Sequence, residues 1–146
     1  MNRILATLTL IALPGLAAAE GLPGAHFIQN WDFDTDGRVT YEEVEARRGD
    51  IFYMFDQNED GILQSAEYDL FDQARAADMA NMGGHEGNAM RPVDAGMMRA
   101  TNDADGDGLV SRDEFVGFSA TWFGQMDRNG DGVFTADDFG RGRGNG

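Results

Sequence analysis

One pattern of twelve residues occurs four times in this chain, and it constrains the fold more than any other feature. The four segments, called here loops one to four, are DFDTDGRVTYEE (32–43), DQNEDGILQSAE (56–67), DADGDGLVSRDE (103–114) and DRNGDGVFTADD (127–138). Each has Asp first, Asp or Asn third, Asp fifth, Gly sixth, an apolar residue eighth and an acid twelfth. Such regular recurrence indicates four copies of one structural unit.

The pattern closely resembles the calcium loop of the EF-hand family in all four copies. Calcium is a hard cation that takes roughly six to eight oxygen ligands. Side chains one, three, five and twelve and the backbone carbonyl of residue seven would supply them, while the sixth residue reverses the chain, which Gly does most easily. The resemblance implies these ligands: Asp32, Asp34, Asp36, Arg38, Glu43, Asp56, Asn58, Asp60, Ile62, Glu67, Asp103, Asp105, Asp107, Leu109, Glu114, Asp127, Asn129, Asp131, Val133 and Asp138.

A simpler interpretation of each single segment is a solvated turn. Asp and Gly are ordinary turn formers, and Thr40 with Glu43, like Ser111 with Glu114, also fits a helix capping box. Fourfold recurrence favours metal loops, because so many clustered carboxylates would repel one another without a cation.

Apolar residues at helical spacing flank the loops, and the family resemblance implies an all-α fold of helix-loop-helix units. We expect two halves of two loops each, packed on one core, with short β contacts between loops at the eighth residues. The predicted divisions are the first half at 20–82, a hinge at 83–88, the second half at 89–139 and a flexible tail at 140–146. Loop three has the weakest flank, because polar Asn102 immediately precedes it.

Loops one and two begin 24 residues apart, and so do loops three and four. Only 12 residues separate the loops of each pair, so one helix would leave one loop and enter the next. Two such helices packed antiparallel would bring loop one to loop four and loop two to loop three, which is the arrangement we expect. Gly49, Gly117 and Gly124 leave an alternative open, because helix breaks there would restore pairing within each half.

The spacing is similar to that of lanmodulin, a periplasmic lanthanide-binding member of the family. The chain departs from lanmodulin at the second loop residue, where Phe33, Gln57, Ala104 or Arg128 replaces proline. It also departs at the ninth, where Thr40, Gln64, Ser111 or Thr135 replaces an extra Asp. Losing that acid weakens the lanthanide interpretation, since trivalent ions favour a more negative shell.

The N-terminus predicts export from the cytoplasm. Arg3, an apolar stretch from Ile4 to Leu13 and the small residues Ala17 to Ala19 match a signal peptide over residues 1–19. We expect a periplasmic or secreted product without membrane insertion. The formal net charge of -15 argues against nucleic acid as a partner and favours cations. The chain has no Cys and no sequence motif of an enzyme, so we predict no catalytic activity.

The predicted function is calcium binding by up to four loops, as a buffer or as a calcium-stabilised structural protein. Loop four is expected to be the weakest and the most tolerant of Mg²⁺, because it ends in the shorter Asp138. Two alternatives stay open: a calcium-dependent module that binds an unknown protein partner, and a lanthanide-binding protein. The methionines of the chain would form an adaptable surface in the first alternative and otherwise fill the core.

Overall fold

The computed structural model describes residues 22–82 and 84–140, and the fold is all-α, as predicted, with one very small sheet. The predicted signal peptide at 1–19, Gly83 of the predicted hinge and residues 141–146 of the predicted tail lie outside the described residues.

Helices enter and leave every loop. In chain order the elements are α1 (Ala25–Trp31), α2 (Tyr41–Phe55), β1 (Ile62–Leu63), α3 (Ser65–Asn81), α4 (Gly84–Gly96), α5 (Arg99–Asn102), β2 (Val110–Ser111), α6 (Arg112–Gly117), α7 (Ser119–Met126) and α8 (Ala136–Phe139).

Helix α2 is the continuous helix predicted between loops one and two. Thr40 caps its N-terminus by accepting a hydrogen bond from the backbone N–H of Glu43, and Gly49 does not interrupt it. Fifteen residues extend over about 22 Å at 1.5 Å per residue, which holds the two loops apart.

The second connection differs from the prediction of a single helix. Helix α6 ends at Gly117, and α7 begins at Ser119 after Phe118, whose φ of -68° and ψ of -13° remain helical. Gly117 lowers the local helix propensity, and the nearby carbonyl of Phe115 accepts hydrogen bonds from the Arg48 side chain instead. The break leaves loops three and four at opposite ends of the α6–α7 pair.

The loops pair across the two halves, which confirms the antiparallel arrangement. Strand β1 of loop two pairs antiparallel with β2 of loop three, with Leu63 opposite Val110. Val39 of loop one forms an antiparallel bridge with Phe134 of loop four, with backbone N···O distances of 3.0 and 2.8 Å. All four of these residues occupy the eighth position of their loops and are at most 1% exposed.

One hydrophobic core contains residues from both halves. One aromatic group in it joins α1 to loop four and α8: the Phe27 ring lies 4.8 Å from Trp31, 5.7 Å from Phe134 and 5.2 Å from Phe139. Nearly every apolar residue expected in the core is buried or packs against it, while Met98 is 44% exposed. The halves therefore cannot separate without exposing this core to water.

The segment predicted as a hinge is largely helical. Helix α4 begins at Gly84, inside the segment 83–88 predicted as a hinge, and it includes Pro92. Met90 and Val93 on this helix are 5% and 6% exposed. Burial of these side chains outweighs the poor helix propensity of the glycines and the proline, which explains why the local sequence was misleading.

Two glycines in helices provide a matched test of this packing. A Cβ atom at Gly96 would lie 2.2 Å from Nε1 of the buried Trp122, whereas a Cβ at Gly124 would meet nothing within 4 Å. We expect Gly96→Ala to lower the free energy of unfolding by about 1–3 kcal/mol through overpacking, and Gly124→Ala to raise it by about 0.5–1 kcal/mol. Urea unfolding at fixed calcium measures both, and equal effects would contradict the close contact with Trp122.

Candidate metal centres

The first Asp of every loop organises the backbone that follows it. In loop one the Asp32 carboxylate accepts hydrogen bonds from the backbone N–H of Asp36 at 3.2 Å and of Gly37 at 2.8 Å. In the other three loops the first Asp likewise accepts from the backbone N–H groups of the fifth and sixth residues. These first residues are Asp56, Asp103 and Asp127. Each loop is thereby curled around its own carboxylate.

The twelfth residue closes each loop. One oxygen of Glu43 accepts from the backbone N–H of Phe33 at 2.8 Å, and the other accepts from that of Thr40 at 2.8 Å. Glu67, Glu114 and Asp138 make the same two contacts. These contacts also complete a helix capping box in each loop, so the capping and metal-loop interpretations describe the same residues.

Glycine is required at the sixth position because the backbone there is left-handed. The four glycines have φ between 79° and 84°: Gly37, Gly61, Gly108 and Gly132. The fourth position is left-handed as well, with Gly106 and Gly130 in the second half but Thr35 and Glu59 in the first. Thr35 is β-branched and has φ of 60°, so loop one carries backbone strain that loop three avoids.

In each of loops one and three, three of the predicted carboxylate ligands come together. One oxygen each from Asp32, Asp34 and Asp36 lies within 4.8 Å of the others, and the same holds for Asp103, Asp105 and Glu114. This all-oxygen, carboxylate-rich donor set fits a hard divalent cation such as Ca²⁺.

Loops two and four replace one of these acids with an amide. Asn58 donates through Nδ2 to Asp60 at 3.0 Å, and Asn129 donates to Asp131 at 3.2 Å. The amide thus restrains the carboxylate of the fifth residue, and it makes the loop less negative by one charge. The seventh residues keep the expected register, since each donates its backbone N–H to the fifth carboxylate: Arg38, Ile62, Leu109 and Val133.

Crowding of the carboxylates changes their acidity in loops one and three. The backbone N–H of Asp36 lowers the pKa of Asp34, but desolvation and the charges of Asp36 and Glu43 outweigh it, so the net pKa is raised. For Asp105, the backbone N–H of Asp107 lowers the pKa, but desolvation and the negative charges of Asp107 and Glu114 outweigh it. The net pKa of Asp105 is therefore also raised. These carboxylates bind protons more readily than usual, so acid would compete with a cation for them.

The closing glutamates have the opposite tendency. Burial raises the pKa of Glu43, but hydrogen bonds from Thr40, Phe33 and Asp34 outweigh it, and the net pKa is lowered. The backbone N–H of Ser111 lowers the pKa of Glu114, with further donors in the loop overcoming desolvation. Both closing carboxylates are therefore held in the ionised form that a metal requires.

Sequence reasoning missed several polar contacts around the loops. Gln64 donates to Asp60 at 2.8 Å in loop two, and Arg128 of loop four donates to the carbonyl of Gly140 at 2.8 Å. It also missed the burial of Arg48 and Asn102, which are 0% and 1% exposed. A signal for Arg48 was present, because it lies four residues after Val44 and four before Phe52 on the buried stripe of α2.

A methionine-rich cavity lies between helices α1 to α4. Its volume is about 490 Å³. Its walls include Met54, Phe71, Met79, Met82, Met90 and Met97. The charged groups at its edge are engaged within the protein: Arg75 pairs with Asp72 and Asp94, and His26 lies 3.4 Å from Asp78. In the part of the chain that the structure describes, no helix combines the length and the apolar character needed to cross a membrane.

Comparison with known proteins agrees with this geometry in the second half. The family model described as EF hand matches residues 103–119 and 120–141, which contain loops three and four. This match supports EF-hand units over residues 103–141. No curated protein and no solved structure matches the chain.

Asp138 provides a test of the twelfth position. It is 3% exposed and holds the same backbone N–H groups as the longer glutamates. We expect Asp138→Glu to raise the calcium affinity of loop four by on the order of tenfold, because Glu can offer both carboxylate oxygens to the ion. The amide signal of Gly132, followed by NMR during a calcium titration, reports this loop.

Asp137→Glu makes the same chemical change one residue away at an exposed position and should leave the midpoint unaltered. An unchanged midpoint for Asp138→Glu would mean that the twelfth residue does not limit affinity.

Proposed function

We propose that this protein is an exported calcium-binding protein with four EF-hand loops, acting as a calcium buffer or as a calcium-stabilised structural protein. The observation that carries the proposal is the common hydrogen-bond frame of the loops. In all four, the first Asp and the twelfth acid are fixed by backbone N–H groups at the same positions. A frame shared by the two halves supports extending the family assignment to loops one and two.

Charge gives the proposal its energetic basis. The chain carries 26 acidic and 11 basic residues, and three carboxylates lie close together in each of loops one and three. Their mutual repulsion destabilises the compact state, and every bound calcium would cancel two negative charges. Binding to the folded state alone stabilises it by roughly 2.7 kcal/mol for each site at a hundredfold excess over Kd. Stability should therefore depend on calcium.

The first test is a buffered titration of residues 20–146 with Ca²⁺, Mg²⁺ and La³⁺, followed by far-UV circular dichroism and tryptophan fluorescence. When the full chain is expressed, protein recovered outside the cytoplasm should have the mass of residues 20–146. Retention of the uncleaved chain in the cytoplasm would contradict export. We expect Ca²⁺ to increase helix content and stability at micromolar to millimolar free ion.

Each metal gives a distinct outcome in that titration. Helix formation by La³⁺ at far lower concentration, with little response to Ca²⁺, would replace the calcium proposal with a lanthanide-binding function like that of lanmodulin. A response to Mg²⁺ confined to loop four would agree with its shorter Asp138. Absence of any response to the three metals would refute the proposal.

The methionine-rich cavity favours one second candidate, a calcium-dependent protein-interaction module. Its flexible, polarisable lining suits a partner's apolar side chains, and helices α2 and α3, which leave loops one and two, form part of its wall. A hydrophobic dye added during the same titration separates the two functions. A large calcium-dependent rise in dye fluorescence supports the interaction module, whereas little change supports the buffer.

A further inference from the structure

A positive charge, that of Arg48, lies in the core. The Arg48 side chain on α2 is 0% exposed, and burial lowers its pKa only to about 10, so the guanidinium is charged at neutral pH. Among the residues that the structure describes, no carboxylate forms a salt bridge with it. A buried cation costs free energy unless other groups satisfy it, so its partners define its role.

Two of the hydrogen-bond partners of Arg48 flank loop three. Nη2 donates to the side-chain oxygen of Asn102, the residue immediately before the loop. Nε and Nη2 donate to the backbone carbonyl of Phe115, the residue immediately after it, at 3.0 and 2.7 Å. One planar guanidinium therefore joins the start and the end of a twelve-residue loop.

Further contacts fix the guanidinium in this position. Its Cζ atom lies 4.3 Å from the centre of the Phe115 ring, and Nη1 donates to the carbonyl of Gly96 at 3.3 Å. Asn102 is held in turn, because its Nδ2 donates to Gly96 at 3.1 Å and to Met98 at 2.9 Å. Both carbonyls bound by Arg48 belong to the C-terminal parts of helices, α4 and α6, where a positive charge is favourable.

The other loops are flanked by apolar residues. Trp31, Phe55 and Met126 precede loops one, two and four, and Val44, Tyr68 and Phe139 follow them. Packing of large side chains can hold the ends of those loops. Loop three is instead preceded by the polar Asn102, so hydrogen bonding through Arg48 takes the place of apolar packing there.

We propose that Arg48 is a positioning residue for loop three: it fixes the distance between Asn102 and Phe115, and so aligns Asp103 and Glu114 on one ion. The proposal rests on the proposed function. The α2 helix carrying Arg48 connects loops one and two, so the calcium site of loop three is completed by the first half of the chain. Contacts that orient metal ligands from outside the ligand set commonly affect metal affinity by roughly 10–100-fold.

Arg48→Met in the chain of residues 20–146 tests the proposal, because it keeps a long side chain and removes every donor. The sixth glycine of each loop donates its amide to the first Asp, so Gly37, Gly61, Gly108 and Gly132 provide one NMR reporter for each loop. We expect the calcium midpoint at Gly108 to rise at least about tenfold. A smaller rise is expected at Gly61, since loop two pairs with loop three, and none at Gly37 or Gly132.

Arg47→Met is the matched control. It removes the same charge from the neighbouring position of α2, but Arg47 contacts the carbonyl of Asn30 and the ring of Phe33 in loop one. It should leave the Gly108 midpoint within about twofold. Charge removal alone favours cation binding, so simple electrostatics predicts tighter calcium binding for both variants, opposite to the effect proposed for Arg48→Met.

Asn102→Ala removes the contact between Arg48 and the start of the loop, together with the hydrogen bonds from Asn102 to Gly96 and Met98, and it serves if Arg48→Met does not fold. It should weaken calcium binding at loop three selectively. The combined effect of Asn102→Ala and Arg48→Lys should be smaller than the sum of their separate effects, because both changes disrupt the contact between these two side chains. Equal shifts at all four glycines, or an unchanged or tightened loop three, would overturn the positioning role and leave the proposed function intact. No calcium response at any glycine of the unmodified chain would overturn both.

Discussion

The length of the connection between consecutive loops is the constraint on which the rest of the structure depends. Helix α2 spans that connection without a break, so loops one and two are held at opposite ends of a rigid element. These two loops cannot pair with each other, and each must find its partner in the other half. The bridge between Val39 and Phe134 and the β1–β2 pair are the result. A single core follows, because loops paired across halves cannot belong to separate domains.

Polar groups inside this core add a requirement that apolar packing does not impose. Arg48, Asn102 and Tyr68 meet near the end of α4, where Tyr68 donates to the carbonyl of Met97 at 2.6 Å and accepts from Asn102. Burial raises the pKa of Tyr68 to about 12, so it remains a neutral donor. Hydrogen bonds of fixed geometry allow few alternative arrangements, whereas apolar contacts tolerate sliding. These residues define how α2 sits against the second half.

In the loops, the carboxylates that are expected to bind the ion also accept hydrogen bonds from the backbone. Asp32 holds the chain reversal through two N–H groups, and Glu43 caps α2 while facing the loop. Their positions are therefore set by backbone hydrogen bonds that do not need a metal. The remaining cost is the repulsion between neighbouring acids, which is visible in the raised pKa values of Asp34 and Asp105. A cation would remove that cost.

The sequence by itself determined the local features: the four loops, their left-handed glycines, the caps at Thr40 and Ser111 and the buried eighth residues. It also favoured cross-half pairing, because the spacing of 24 residues is a local property. Tertiary structure decided the rest. Buried Met90 and Val93 make helix from a glycine-rich segment that local propensity assigns to a hinge. Asn102, which weakened the helical pattern before loop three, is buried because Arg48 lies opposite it, 54 residues away in the chain. Local rules act over a few residues, whereas such contacts exist only once distant segments have packed together.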